Sequence, residues 1–286
     1  MTNLLDQAGN AAQYDDQTET KAFERTVAPE GYTTARFIGY VEIGKQPQRP
    51  YQGVDKPDAA EVRLTFELNG PKHITEYEKD GVKMTRTNIH REKLTISSSE
   101  KSNFQKLFKK MLAGRTDIKH MAQLLGEGFL VKIKHNLSKD GKNTYANIKV
   151  DGVWDIGAPS VTDPITNETT ILDVPEATHA VQLLLWSNPS KEQWDSIFID
   201  GTYTKNDGKG QDIEVSKNFI QNEAMAASNF IGSPLEALVA GIGVPIKEDL
   251  APNPAPTPKA ETTTEQKGGE NVPSTAEEDP LAALGL

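Results

Sequence analysis

Cysteine is absent from all 286 residues. That excludes disulfides, thiolate nucleophiles and cysteine-bound zinc, and it fits a reducing cytoplasm. No run of about 18 apolar residues occurs. The first twenty residues, MTNLLDQAGNAAQYDDQTET, lack a basic stretch followed by an apolar one. Neither membrane insertion nor secretion is expected. The five histidines, His73, His90, His120, His135 and His179, never fall into HxH, HExxH or HxxxH spacing, so metal ligation has no pattern behind it. GxxxxGK[ST], GxGxxG and GxSxG are also missing, which removes the common phosphate loops and the nucleophile elbow. The expectation is a chain that is not an enzyme and carries no cofactor or metal.

What the chain does have is sorted charge. Residues 31–150 hold 22 Lys and Arg against 13 Asp and Glu, whereas the whole chain, with 31 against 41, stands at −10. Residues 1–30 carry 2 basic against 6 acidic side chains, residues 151–246 carry 4 against 14, and residues 247–286 carry 3 against 8. A basic island inside an acidic protein points to a polyanion held at one place, since an indifferent surface intersperses its signs.

The periodicity predicts a mainly β fold with helices, of α+β class. Tyr32 to Gly44 alternates, with Ala35, Phe37, Val41 and Ile43 on one side and Arg36, Tyr40 and Glu42 on the other. A Pro- and Gly-containing loop is expected from Lys45 to Asp58. Val62, Leu64, Phe66 and Leu68 mark a second strand, and strands over His73 to Tyr77 and Val82 to Ile96 turn at Asp80-Gly81. The period then lengthens: Phe104, Leu107, Phe108, Met111 and Leu112 form one stripe of a helix over Glu100 to Leu112, with Ser97 and Glu100 as its capping box and Gly114 as its stop. A shorter helix is expected over Ile118 to Leu125. Strands resume at Phe129 to Lys134 and Tyr145 to Val150.

With the short His73 to Tyr77 arm of the Asp80-Gly81 hairpin set aside, three strands, a helix and two strands are the order of the five-stranded oligonucleotide-binding barrel, the OB-fold. The reading therefore assigns residues 1–28 to an N-terminal arm and 29–246 to a core. The core comprises a barrel over about 31–150 and an elaboration over 151–246, the latter holding Trp154, Trp186 and Trp194. Residues 247–286, rich in Pro, Thr, Glu and Gly, are expected to form a disordered acidic tail.

Basic side chains interleaved with aromatics suit single-stranded nucleic acid, because cations neutralise phosphates while bases stack on flat rings. On the predicted outward faces and groove loops these are Arg36, Tyr40, Lys45, Arg49, Tyr51, Lys56, Arg63, Arg86, Arg91, Lys93, Lys132, Lys134, Lys142 and Tyr145. The tail ends in Glu277, Glu278 and Asp279 followed by Leu281, Leu284 and Leu286, an acidic tether with an apolar tip that suits docking of a protein partner.

Ala35 to Leu68 (ARFIGYVEIGKQPQRPYQGVDKPDAAEVRLTFEL) resembles phage-encoded single-stranded-DNA-binding proteins. Glu100 to Phe108, Trp194 to Tyr203 and Ser216 to Val239 carry further phrases similar to theirs. The resemblance implies an OB-fold accessory of phage DNA replication or recombination, acting in the host cytoplasm. It further implies that the accessory coats transient single strands and recruits replication or recombination proteins through its tail. The acidic tail is similar to the C-terminal tails of bacterial and T7-type phage single-strand binders but departs from the bacterial pattern: there an acidic run is followed by Pro and a terminal Phe, whereas here Glu277 to Asp279 precede a Leu-rich end. The alternative reading is a phage structural or assembly protein whose barrel binds other proteins.

Overall fold

The structure, a computed structural model, describes residues 27–79, 81–138, 140–206 and 211–243. It is mainly β. A curled antiparallel sheet is built from β1 (Gly31–Tyr51), β2 (Val54–Leu68), β3 (Ile74–Lys79), β4 (Val82–Thr95), β5 (Gly128–Leu137) and β6 (Thr144–Asn147). Its strand order is β3-β4-β2-β1-β5-β6. One helix, α1 (Asn103–Leu112), lies in the chain between β4 and β5. Short strands follow: β7 (Lys149–Val150), β8 (Val153–Trp154), β9 (Ile156–Gly157), β10 (Ser160–Thr162), β11 (Thr169–Ile171) and β12 (Gln182–Leu184). After them come α2 (Lys191–Ser196), β13 (Thr202–Asn206), β14 (Asp212–Ser216), α3 (Phe219–Met225) and α4 (Pro234–Gly241).

β1 organises the molecule, pairing antiparallel with β2 along most of its length, with β5 at its start and parallel with β12 in its middle. Its alternation is broken by a bulge. Phe37 pairs with Phe66 but Gly39 pairs with Thr65, so Ile38 is an extra residue. One inserted residue exchanges the two faces of the residues that follow it, up to the next shift after Glu42. Ala35, Phe37 and Tyr40 therefore share one core, while Val41 and Ile43 enter another. Sequence alternation puts Tyr40 on the outward side; the structure buries it, 1% exposed.

The first core fills the concave side of the sheet. Val62, Leu64, Phe66 and Leu68 of β2 and Phe129, Val131 and Ile133 of β5 meet Phe104, Leu107, Phe108 and Met111 of α1. The helix begins later than its periodicity suggests. Ser102 is its cap, its hydroxyl accepting from the Gln105 N–H, and Ala113 in the left-handed region closes it ahead of Gly114. Instead of a second helix over Ile118 to Leu125, a single 3-10 turn, Met121–Leu124, is capped by His120.

The second core lies on the opposite face of β1, where Val41 and Ile43 pack with Leu184, Trp194, Ile197, Ile220, Phe230, Leu235 and Val239. Gly44 permits the close approach, because a Cβ there would collide with the Trp186 ring and Ala227, and its φ of +74° independently favours glycine. Ser190 and Ser233 cap α2 and α4.

The expected loop from Lys45 to Asp58 is a β-ribbon. β1 and β2 continue as partners to Tyr51 and Val54, with Gln52 and Gly53 both at positive φ, the conformation of a two-residue hairpin turn. The last expected strand divides at Ile148 into β6 and β7.

Candidate nucleic-acid interface

The sequence-selected residues divide into groups whose surroundings differ. Four form one exposed ribbon. Lys45, Arg49, Tyr51 and Lys56 lie on the β1–β2 hairpin, Lys45 at its base where its backbone meets Ser228 and Asn229 and the others farther out; Tyr51 is 45% exposed, and the Lys56 Nζ stands 4.6 Å from the centre of its ring. The ribbon is exposed because, between its tip and Ala59, no large apolar side chain is turned toward either core.

Arg36, Arg63 and Lys93 serve the fold instead. The Arg36 guanidinium donates to the backbone carbonyls of Gly126, Val174 and Pro175 at 2.5 to 2.7 Å, clamping the segment that crosses β5 at Gly128. A Cβ at Gly128 would meet Val174 at 2.7 Å, so only glycine admits that crossing. Arg63 donates to Glu223 of α3 at 2.6 Å and lies 5.1 Å from the Phe219 ring. Lys93 reaches Glu223 at 3.4 Å and Glu61 at 3.2 Å. α3 is fixed there by Ile220 and Ala224 in the second core, so this face of β2 and β4 is covered by protein. These three residues do not line an open groove, and the same is true of Tyr40. The Tyr40 hydroxyl donates to Glu42, and burial with that neighbouring carboxylate raises its pKa.

The remaining positions are dispersed. Arg86 is exposed on β4 near its turn with β3, and Arg91 is half-buried farther along the same strand. Lys132 and Lys134 lie on the convex side of β5: Lys132 Nζ stands 5.0 Å from the Tyr32 ring centre, and Lys134 is paired with Asp155 at 3.0 Å. Lys142 is exposed in the β5–β6 turn and Tyr145 is half-buried on β6. The tail residues Glu277, Glu278, Asp279, Leu281, Leu284 and Leu286 lie outside the described residues.

Sequence reasoning missed three contributors. Tyr32 is 71% exposed on the convex side; its only sequence signal is an aromatic two residues into a strand. Lys149, half-buried over the Trp154 ring at 5.6 Å, has its pKa lowered, chiefly by burial. Glu223 neutralises two predicted binding cations from a point in the chain 160 residues beyond Arg63, which no local pattern announces.

Among the described residues no group of three or more His, Asp or Glu is placed to hold a metal ion, and no helix is long and apolar enough to cross a membrane. Comparisons with family models, curated proteins and solved structures each return no match for the chain.

Proposed function

We propose that this chain is a non-catalytic binder of single-stranded DNA that coats and protects transient strands during phage replication or recombination. The observation that carries the reading is the β1–β2 ribbon, on which the Lys56 ammonium stands 4.6 Å from the exposed Tyr51 ring and Lys45 and Arg49 are exposed farther back along β1. Cations spaced along a ribbon suit phosphates, and a half-exposed ring offers a base a stacking surface whatever its sequence. The succession β1, β2, β4, helix, β5, β6, with β1 between β2 and β5, supports an OB-fold ancestry in which this ribbon is the loop joining the first two strands. Replication or recombination proteins would be recruited through the acidic tail.

The test is a titration of labelled oligo(dT) and of duplex of equal length at two salt concentrations. A binder prefers the single strand and weakens steeply as salt rises. Equal, salt-independent affinity for both, or none for either, overturns the reading. It would favour the alternative of an assembly protein, for which the exposed Tyr77, Val82 and Met84 on the β3–β4 hairpin offer a protein-contact surface.

A further inference from the structure

A groove opens on the convex side of the sheet, where the start of β1 and β5 meet the β10–β11 hairpin. It encloses about 640 Å³, and its lining includes Tyr32, Thr34, Pro71, Leu130, Val161 and Leu172. That volume lies within the range of about 300–1,000 Å³ typical of clefts that hold small ligands. The walls are built. Asn69 donates its N–H to the Thr34 carbonyl at 2.9 Å, and Gly70 donates its N–H to the Thr33 hydroxyl at 3.0 Å. A Cβ on Gly70 would collide with that hydroxyl. The β10–β11 hairpin is closed by three register pairs from Ser160–Ile171 to Thr162–Thr169.

Three features of the groove match one ligand chemistry. Tyr32 presents most of its ring to solvent at the groove wall although nothing in the fold requires an aromatic there. Lys132 keeps its ammonium 5.0 Å from that ring, and no carboxylate lies within ion-pair distance of it among the described residues, in contrast to Lys134. Lys72, exposed, follows the lining residue Pro71 in the chain. An apolar floor, a flat ring at the wall and uncompensated positive charge at the edge suit a planar heterocycle attached to a phosphate.

We propose that this groove seats one unpaired nucleobase of a bound strand, stacked on Tyr32, with its phosphate beside Lys132. The inference rests on the single-strand-binding reading and adds a contact at the opposite end of β1 from Tyr51. Base stacking on a single ring typically changes affinity by about 5- to 150-fold.

The experiment uses the full chain and an oligo(dT) carrying 5-iododeoxyuridine, cross-linked by light and mapped by peptide mass spectrometry. The expected results are an adduct at Tyr32 and affinity about tenfold or more lower for Tyr32→Ala, with Tyr32→Phe retaining most of the binding because it keeps the ring. Removing an exposed side chain leaves both cores intact, so a folded Tyr32→Ala protein is available for comparison. If the wild type binds the oligonucleotide while Tyr32 takes no adduct and Tyr32→Ala binds equally well, the groove is not a base seat and the single-strand reading survives. If the wild type binds no oligonucleotide, the broader reading fails and the inference falls with it.

Discussion

The carboxylate of Glu67, fully buried on β2, receives the Thr178 backbone N–H at 3.0 Å and the Thr178 hydroxyl at 2.7 Å across a separation of 111 residues. The His179 N–H at 3.0 Å, the Thr87 hydroxyl at 3.0 Å and the His179 Nδ1 at 3.2 Å also contact it. Together with the Arg36 clamp on Val174 and Pro175, it ties the segment after β11 to the sheet. A buried charge is tolerated only when its lone pairs are filled, and here backbone N–H groups, two hydroxyls and the His179 ring surround it.

Burial alone would raise the pKa of Glu67, but the hydrogen bonds from Thr178, His179 and Thr87 outweigh it and the net shift is downward from 4.5. A lowered folded-state pKa means that the contribution is fully present above the unfolded value and is lost as pH falls through the folded one. Stability in urea should therefore decline below about pH 4.5, and Glu67→Gln should flatten that decline. At neutral pH the same variant should lose about 2–3 kcal/mol, since an amide cannot accept from all of these donors. An unchanged urea midpoint at pH 7 would show the coordination to be of no consequence.

Gly44→Ala should destabilise the protein by about 2–4 kcal/mol, because it combines a positive φ with a side chain driven into Trp186 and Ala227 at the second core. Thermal unfolding read by tryptophan fluorescence would report it directly, as Trp186 is the ring displaced. A melting temperature within a degree of wild type contradicts this packing.

Much of this fold is legible in the sequence wherever one face of an element is apolar and the other polar. Val62 to Leu68 and Phe104 to Met111 repeat at two and at three to four because each element turns its apolar face to the first core, although the polar face of β2 is covered as well. The ribbon from Lys45 to Asp58 reads as a loop because no apolar alternation marks it, its one buried side chain, Gln46, being polar. Tyr40 is misplaced by a single bulge residue, Ile38, which a period-two pattern cannot register. Arg63 and Lys93 read as binding cations because their neutralising partner, Glu223, is fixed by tertiary packing. Their positive charge is visible in the sequence, whereas its cancellation is not.

That cancellation separates two sets of variants. Replacing Lys45, Arg49 and Lys56 together by Gln should weaken oligo(dT) binding and reduce the slope of log K against log salt by roughly 0.7 for each single-strand phosphate left without its cation. Arg63→Gln should leave the slope unchanged while lowering stability by about 1–2 kcal/mol, a value between those of exposed and buried ion pairs, since its charge is already spent on Glu223. The reverse pattern would place the strand on the face that α3 covers.

Residues 247–286 carry 3 basic against 8 acidic side chains, opposite in sign to the +9 of residues 31–150. A tethered polyanion competes with DNA for cations through an electrostatic term that salt screens within about 8–10 Å at physiological strength. Deleting 247–286 should therefore tighten oligo(dT) binding at low salt, and the advantage over the full chain should shrink as salt rises. The ribbon variant supplies the control. If the tail competes for Lys45, Arg49 and Lys56, removing it from the triple Gln variant should gain much less than removing it from the wild type. An equal gain in both backgrounds would mean that the tail acts at other cations, and no gain in either would leave it with recruitment alone.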